Sequence, residues 1–173
     1  LLENRAVDYK SLVIIGGGVI GSEFASVFSA LGCEVTIIEA AERIVPALDR
    51  EISQNLSMIF KKRGVSINTG CSVERISQSG ASLCCHFTGK SGSREIAAQG
   101  VLVAVGRRPN TGELFGAGVN IVQGRGIIVD KRFETSVKGI YAIGDVIEGS
   151  ISLAHAASAQ AQNVIAEMLG EKP

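Results

Sequence analysis

An apolar run, Ser11-Leu12-Val13-Ile14-Ile15, opens directly onto Gly16, Gly17, Gly18 and Gly21, and the next apolar run, Glu34-Val35-Thr36-Ile37-Ile38-Glu39, ends on an acid. This order constrains the fold more than any other feature of the chain. A strand followed by a tight glycine turn, a helix and a second strand is a βαβ unit whose helix begins where the first strand stops. Gly16 permits the turn, Gly18 lets backbone N–H groups approach an anion, and Gly21 lets the helix lie close to the sheet. The helix N-terminus, with its aligned dipoles and unpaired donors, faces a pyrophosphate. Glu39 stands 18 residues beyond Gly21, where a carboxylate accepts hydrogen bonds from ribose hydroxyls and repels the additional phosphate of NADP. The pattern therefore implies a dinucleotide site with a preference for NAD.

Glycine spacing alone carries little weight in a chain with 21 glycines among 173 residues, and glycines that serve only packing are the plain alternative. The flanking residues add to it. Ile20, Phe24, Val27, Phe28 and Leu31 recur at helical spacing, which predicts a helix over 19–31 buried on that stripe and stopped by Gly32.

The remaining chain reads as an extension of the same α/β layout. Asp49 is a candidate N-cap for a second helix with Ile52, Leu56, Ile59 and Phe60 inward and Gly64 as its stop. Lys61-Lys62-Arg63 falls in its last turn, where cations complement the dipole. Residues 65–68 read as a third parallel strand. Residues 72–78, 81–87 and 93–97 alternate between short glycine-containing turns, the signature of an antiparallel meander. Val101-Leu102-Val103-Ala104-Val105 is an unbroken apolar run ending at Gly106, as a strand buried on both faces requires. Further strands are expected over 126–130 and 139–145. A last helix is expected from Ser152, its candidate N-cap, to Leu169, with Gly170 as its stop. The fold class is thus α/β, a Rossmann-like parallel sheet with an inserted β-meander.

Composition excludes several roles. Lys plus Arg equals Asp plus Glu at 17 each, and two tyrosines with no tryptophan leave little to stack on bases, so no nucleic-acid partner is expected. No apolar run approaches the roughly 20 residues of a membrane span, and no secretory leader pattern is present, so the expected location is the cytoplasm. Cys33, Cys71, Cys84 and Cys85 match neither zinc-ligand nor redox-loop spacing, and reduced thiols with no metal are expected, a vicinal Cys84–Cys85 disulfide or metal ligation with His86 being the alternative. Cys84 and Cys85 lie in an alternating run beside His86, so their side chains point to opposite faces.

Three segments in order carry a wider resemblance: Gly16-Gly17-Gly18-Val19-Ile20-Gly21-Ser22-Glu23, then Val103-Ala104-Val105-Gly106-Arg107-Arg108-Pro109-Asn110, then Tyr141-Ala142-Ile143-Gly144-Asp145 followed by Leu153-Ala154-His155. Together they resemble the pyridine nucleotide-disulfide oxidoreductases. The resemblance implies a NAD-binding domain over 8–110 and, over 111–173, the second stretch of an FAD-binding domain, incomplete in this chain. It implies that Gly16, Gly17, Gly18, Val19 and Gly21 hold the pyrophosphate and Glu39 the adenosine ribose. Val73 would lie by the adenine, Gly106 by the nicotinamide half, and Ile20 and Glu23 near nicotinamide and flavin. Asp145 would meet the flavin's ribityl side, and Ser152, Leu153, Ala154 and His155 would form the helix start beneath the isoalloxazine. The stretch from Asp145 to His155 is one residue longer than is usual in the family. Glu23 as a plain helix residue, Asp145 as a turn cap and Val73 as strand core remain the alternatives.

The implied activity of the parent enzyme is reoxidation of dihydrolipoamide with hydride passed through FAD to NAD. A lipoyl-bearing protein of a 2-oxoacid dehydrogenase complex would be its partner, a homodimer its assembly, and the cytoplasm or a mitochondrial matrix its place. No catalytic residue is expected in this chain itself, which reads as a cut-out piece. Another NADH-dependent flavoprotein of the family, such as an NADH oxidase or a coenzyme disulfide reductase, and a non-catalytic NAD-binding module are the rival expectations.

Overall fold

The computed structural model describes residues 9–112, 121–122 and 126–171. Two compact units divide the chain, one ending at Gly106 and the other starting at Arg107.

The first unit is built on a four-stranded sheet. Strand β1 (Ser11–Ile15) leads into helix α1 (Val19–Ala30), and strand β2 (Glu34–Ile38) into helix α2 (Arg50–Lys62). Strand β3 (Ser66–Asn68) follows, then a meander of β4 (Ser72–Ser79), β5 (Ser82–Gly89) and β6 (Gly92–Ala98), and finally β7 (Gly100–Val103). The sheet order is β3-β2-β1-β7 and every pairing in it is parallel. The meander forms a separate antiparallel sheet.

The uninterrupted apolar sequence of β1 has a direct cause. Leu12 and Ile14 join a core with Ala25, Phe28, Val35, Ile37 and Phe60, on the helix side. Val13 and Ile15 pack on the other side with Ile38 of β2, Cys71, and Cys85, Phe87 and Ala98 from the meander. Both faces of the strand are covered, so neither tolerates a polar residue. Burial pushes the thiols of Cys33 and Cys85 above the ordinary value of 9.0, which keeps both protonated.

Helix α1 buries only part of the stripe its apolar periodicity predicts: Phe28 is buried and Phe24 packs against the same core, but the rest of the stripe is not covered. Its buried residues are Gly21, Ser22, Ala25 and Phe28, whereas Ile20, Val27 and Leu31 are 45%, 54% and 75% exposed. Small residues let the helix axis approach the glycine turn closely, and that proximity outweighs the larger apolar side chains. In α2 the Asp49 carboxylate caps the helix by accepting from the Glu51 N–H at 2.8 Å, as expected. Phe60 is buried, but Ile52 and Ile59 are about half exposed and Ser53 is buried in their stead, its hydroxyl donating to the Ile44 carbonyl at 2.7 Å. Lys61, Lys62 and Arg63 are exposed at the helix end.

In the second unit strand β8 (Ile121–Val122) pairs with β9 (Gly126–Ile127), and helix α3 (Ala154–Met168) ends before Gly170. The strand expected over 126–130 stops at Ile127, because Asp130 turns the chain by accepting from the Arg132 and Glu134 N–H groups. No strand runs over 139–145. Gly139 and Gly144 both take positive φ, Tyr141 makes one isolated bridge to Glu134, and Gly144–Val146 forms a 3-10 turn. Ser152 does not cap α3. Leu153 holds the cap position without a side-chain bond. The glycine-rich connection beyond Arg107 falls largely on 113–120 and 123–125, outside the described residues.

Candidate nucleotide site

The chain passes from β1 outward through β2 to β3, then returns to place β7 on the other side of β1. A reversal of this kind opens a crevice at the carboxyl ends of the central strands, where ligands bind in open α/β sheets. A cleft of about 530 Å³ lies there, lined by Gly16, Gly18, Glu39, Val73, Ala104 and Gly106 among others.

Each glycine has a separate physical reason. Gly16 sits at φ +101°, and a Cβ on it would lie 2.4 Å from the Ala104 carbonyl oxygen, so the chain just past β7 meets the turn backbone to backbone. A Cβ on Gly21 would lie 2.0 Å from the Gly16 carbonyl oxygen, which sets how near α1 comes to the turn. Gly18 is different, with nothing within 4 Å of its Cβ position. The space beside it belongs to the cleft. Gly18 is also the N-cap of α1, no side chain caps it, and no acid occupies the first turn. An open helix N-terminus beside an empty-sided glycine fits a pyrophosphate.

Glu39 is held in position from two sides. One carboxylate oxygen accepts from the Gly17 N–H and the other from the Ala41 N–H at 2.7 Å. A carboxylate offers about four acceptor positions, so about two remain for ribose hydroxyls. Behind the turn, the Val45 N–H donates to the Gly17 carbonyl at 2.7 Å from a buried residue at φ +41°. A β-branched residue in the left-handed region is strained and persists only where its surroundings hold it.

Of the residues singled out from sequence, Gly16, Gly18, Val19, Ile20, Glu39, Val73 and Gly106 line this one cleft. Gly17 and Gly21 shape it from behind. Val73 also packs on the meander-side core, so strand and cleft roles coexist there. Glu23 is not among the cleft residues; it lies exposed on α1 beside an apolar depression with Ser26 and Leu56. Ala104 and Pro46 line the cleft without having been foreseen, because sequence spacing does not say that β7 lies beside β1. A larger depression of about 960 Å³ runs along α2, but its lining mixes charges of both signs, such as Glu42, Arg50 and Lys61, and the nearby helix start is already capped by Asp49.

In the second unit, the Asp145 carboxylate is paired with Arg107 at 2.8 Å. Both line a cavity of about 500 Å³ with Arg108, Asn110 and Ser152. Leu153, Ala154 and His155 are exposed at the uncapped start of α3.

Comparison with known proteins agrees with this geometry. The sequence profile of the pyridine nucleotide-disulphide oxidoreductases matches residues 1–161. A dihydrolipoyl dehydrogenase of Bacillus subtilis (strain 168) is 43% identical over 152 residues, covering 86% of this chain and 32% of its own length. The HOCl-induced flavoprotein disulfide reductase RclA from Escherichia coli superimposes with a TM-score of 0.86 at 35% identity, over 98% of this chain and 38% of that one. A ferredoxin reductase from Rhodopseudomonas palustris reaches a TM-score of 0.88 at 30% identity, over 99% of this chain and 44% of that one. The chain thus spans about a third of the length of the curated relatives it matches. With the profile covering most of its residues and the glycine-turn cleft in place, the chain belongs to the pyridine nucleotide-disulphide oxidoreductase family.

Proposed function

We propose that this chain is the NAD-binding part of a dihydrolipoyl dehydrogenase, with residues 8–110 as the nucleotide domain and 111–173 as a stretch of the flavin domain. The observation that carries the nucleotide half is the Glu39 carboxylate, fixed by two backbone N–H groups at the edge of the cleft with acceptor positions to spare. NAD rather than NADP follows, since a second anion at this carboxylate would meet like charge. The whole protein would oxidise a dihydrolipoyl group on a 2-oxoacid dehydrogenase complex. It would work as a homodimer in the cytoplasm, or in the mitochondrial matrix of a eukaryote.

FAD, when bound, would supply the electron-accepting chemistry, and the nicotinamide nucleotide would supply hydride transfer. The residues of this chain bind and orient. Gly16 to Gly21 and the α1 N-terminus hold the pyrophosphate, Glu39 the ribose, Val73 the adenine side, and Gly106 the approach to the nicotinamide half. Asp145, held by Arg107, and Ser152 to His155 at the α3 start would stand on the flavin side. No residue of this chain is assigned a proton-transfer role.

NADH and NADPH titrations of the full-length protein test the nucleotide assignment. NADH is expected to bind more tightly, and equal affinity or an NADPH preference would overturn the role of Glu39. The electron donor is tested by following reduction of NAD by dihydrolipoamide. Turnover is the expected result. NADH oxidation by another acceptor without lipoamide turnover would favour a different flavoprotein reductase of the family, the reading suggested by similarity to RclA and the ferredoxin reductase.

A further inference from the structure

We infer that the outer face of the meander binds a divalent ion of the zinc class through Cys84, His86 and Glu95. One ligand atom from each of these residues lies within 4.8 Å of the others. This assignment does not depend on the nucleotide reading.

The arrangement follows from strand pairing. Cys84 and His86 are two residues apart on β5 and share a face, while Cys85 and Phe87 point the other way into the core. Glu95 stands opposite His86 on β6, with its Oε2 3.3 Å from the imidazole Nδ1. The sequence shows Cys84 beside His86 but not Glu95, which the neighbouring strand brings opposite His86. A thiol, an imidazole and a carboxylate are the donor types that zinc takes in proteins, whereas magnesium and calcium prefer oxygen alone. Cys33, Cys71 and Cys85 are buried in the apolar clusters and do not compete.

The surroundings support the same reading. Ser77 on β4 places its Oγ 2.9 Å from Nε2 of His86, a contact that fixes the ring with its other nitrogen toward Glu95. A cation already stands at that nitrogen, for the Arg75 guanidinium lies 3.4 Å from Nδ1. Arg75 reaches it from the position where the β4 register shifts, and its side chain is exposed. A metal ion would displace the guanidinium into solvent. Coordination takes Cys84 as its thiolate, so one proton is released to solvent as the ion binds, and binding tightens as pH rises. Three protein donors leave the fourth tetrahedral position to water. The ion would tie β5 to β6 and stabilise the folded chain by mass action.

The test is uptake of zinc(II) by the reduced, chelator-treated full-length protein, with cobalt(II) as the spectroscopic probe. The expected result is a thiolate-to-cobalt charge-transfer band and a rise in melting temperature with zinc. Cys84→Ser should abolish the band and take up one ion fewer per chain. Glu95→Gln, at an exposed position where folding is not at stake, should weaken binding about tenfold or more. Arg75→Ala, which removes the competing cation, should tighten it. A cobalt spectrum without the thiolate band would overturn the assignment, as would zinc uptake and affinity that are the same in wild type, Cys84→Ser and Glu95→Gln.

Discussion

Gly21→Ala is expected to destabilise the protein by about 3 kcal/mol, at the upper end of overpacking penalties, and to weaken NADH binding at least about tenfold, or roughly 1.4 kcal/mol. The direction is diagnostic. Helix propensity alone predicts that replacing an interior helical glycine by alanine stabilises by about 1 kcal/mol. At this site the new methyl would stand 2.0 Å from the Gly16 carbonyl oxygen, and a backbone atom cannot rotate away as a side chain would. Helix α1 has to tilt or slide outward, taking with it the N–H donors that face the cleft. Denaturant unfolding and a nucleotide titration on the same variant check both effects. A stabilised variant with unchanged affinity would mean that the helix does not sit against the turn. Gly18→Ala supplies the contrast, since its Cβ meets nothing in the protein, and any loss there should appear in binding rather than in folding.

Glu39→Ala is expected to lower NADH affinity by about 1.5–3 kcal/mol, the range for hydrogen bonds to charged groups, and to narrow the preference over NADPH. Two contributions act in the same direction. On the proposed assignment ribose hydroxyls would lose their acceptor, and the Gly17 and Ala41 N–H groups lose the carboxylate that orders the turn. For NADPH the first loss is offset by removal of like charge near the extra phosphate, so its affinity should fall less or rise. Parallel titrations with both nucleotides read the ratio directly. An unchanged NADH affinity would remove Glu39 from the site, and an equal fall for both nucleotides would confine its part to ordering the turn.

Much of the fold and of the cleft is legible in the sequence, and the exceptions have identifiable causes. The order of strands and helices, the antiparallel meander and the Asp49 cap could be read because each depends on residues near one another in sequence. The α1 stripe misled because apolar periodicity assumes that the largest side chains mark the buried face. Here Phe28 is buried as its size suggests, but the rest of the interface belongs to Gly21, Ser22 and Ala25, whose smallness is what close packing needs. The segment over 139–145 reads as a strand by composition, yet Gly139 and Gly144 take backbone angles that a strand does not, and the Gly144 N–H finds its partner in the Gln160 side chain. The cleft shows the same division. Its glycines and Glu39 announce themselves by spacing, whereas Ala104 and Pro46 enter through the placement of β7 and the loop after β2, which only the fold reveals.

On the proposed assignment, the strained Val45 bears on how a nucleotide would enter and leave. Its amide grips the Gly17 carbonyl from behind, and neighbouring packing holds it at an angle it would not choose. The glycine turn therefore loses its conformational freedom once, as the chain folds, rather than at each encounter with ligand. Association should then be limited by diffusion into the cleft and not by a preceding opening step, with a single kinetic phase whose rate rises linearly with nucleotide concentration. A seat that needs no rearrangement to receive its ligand adds no step of its own to exchange.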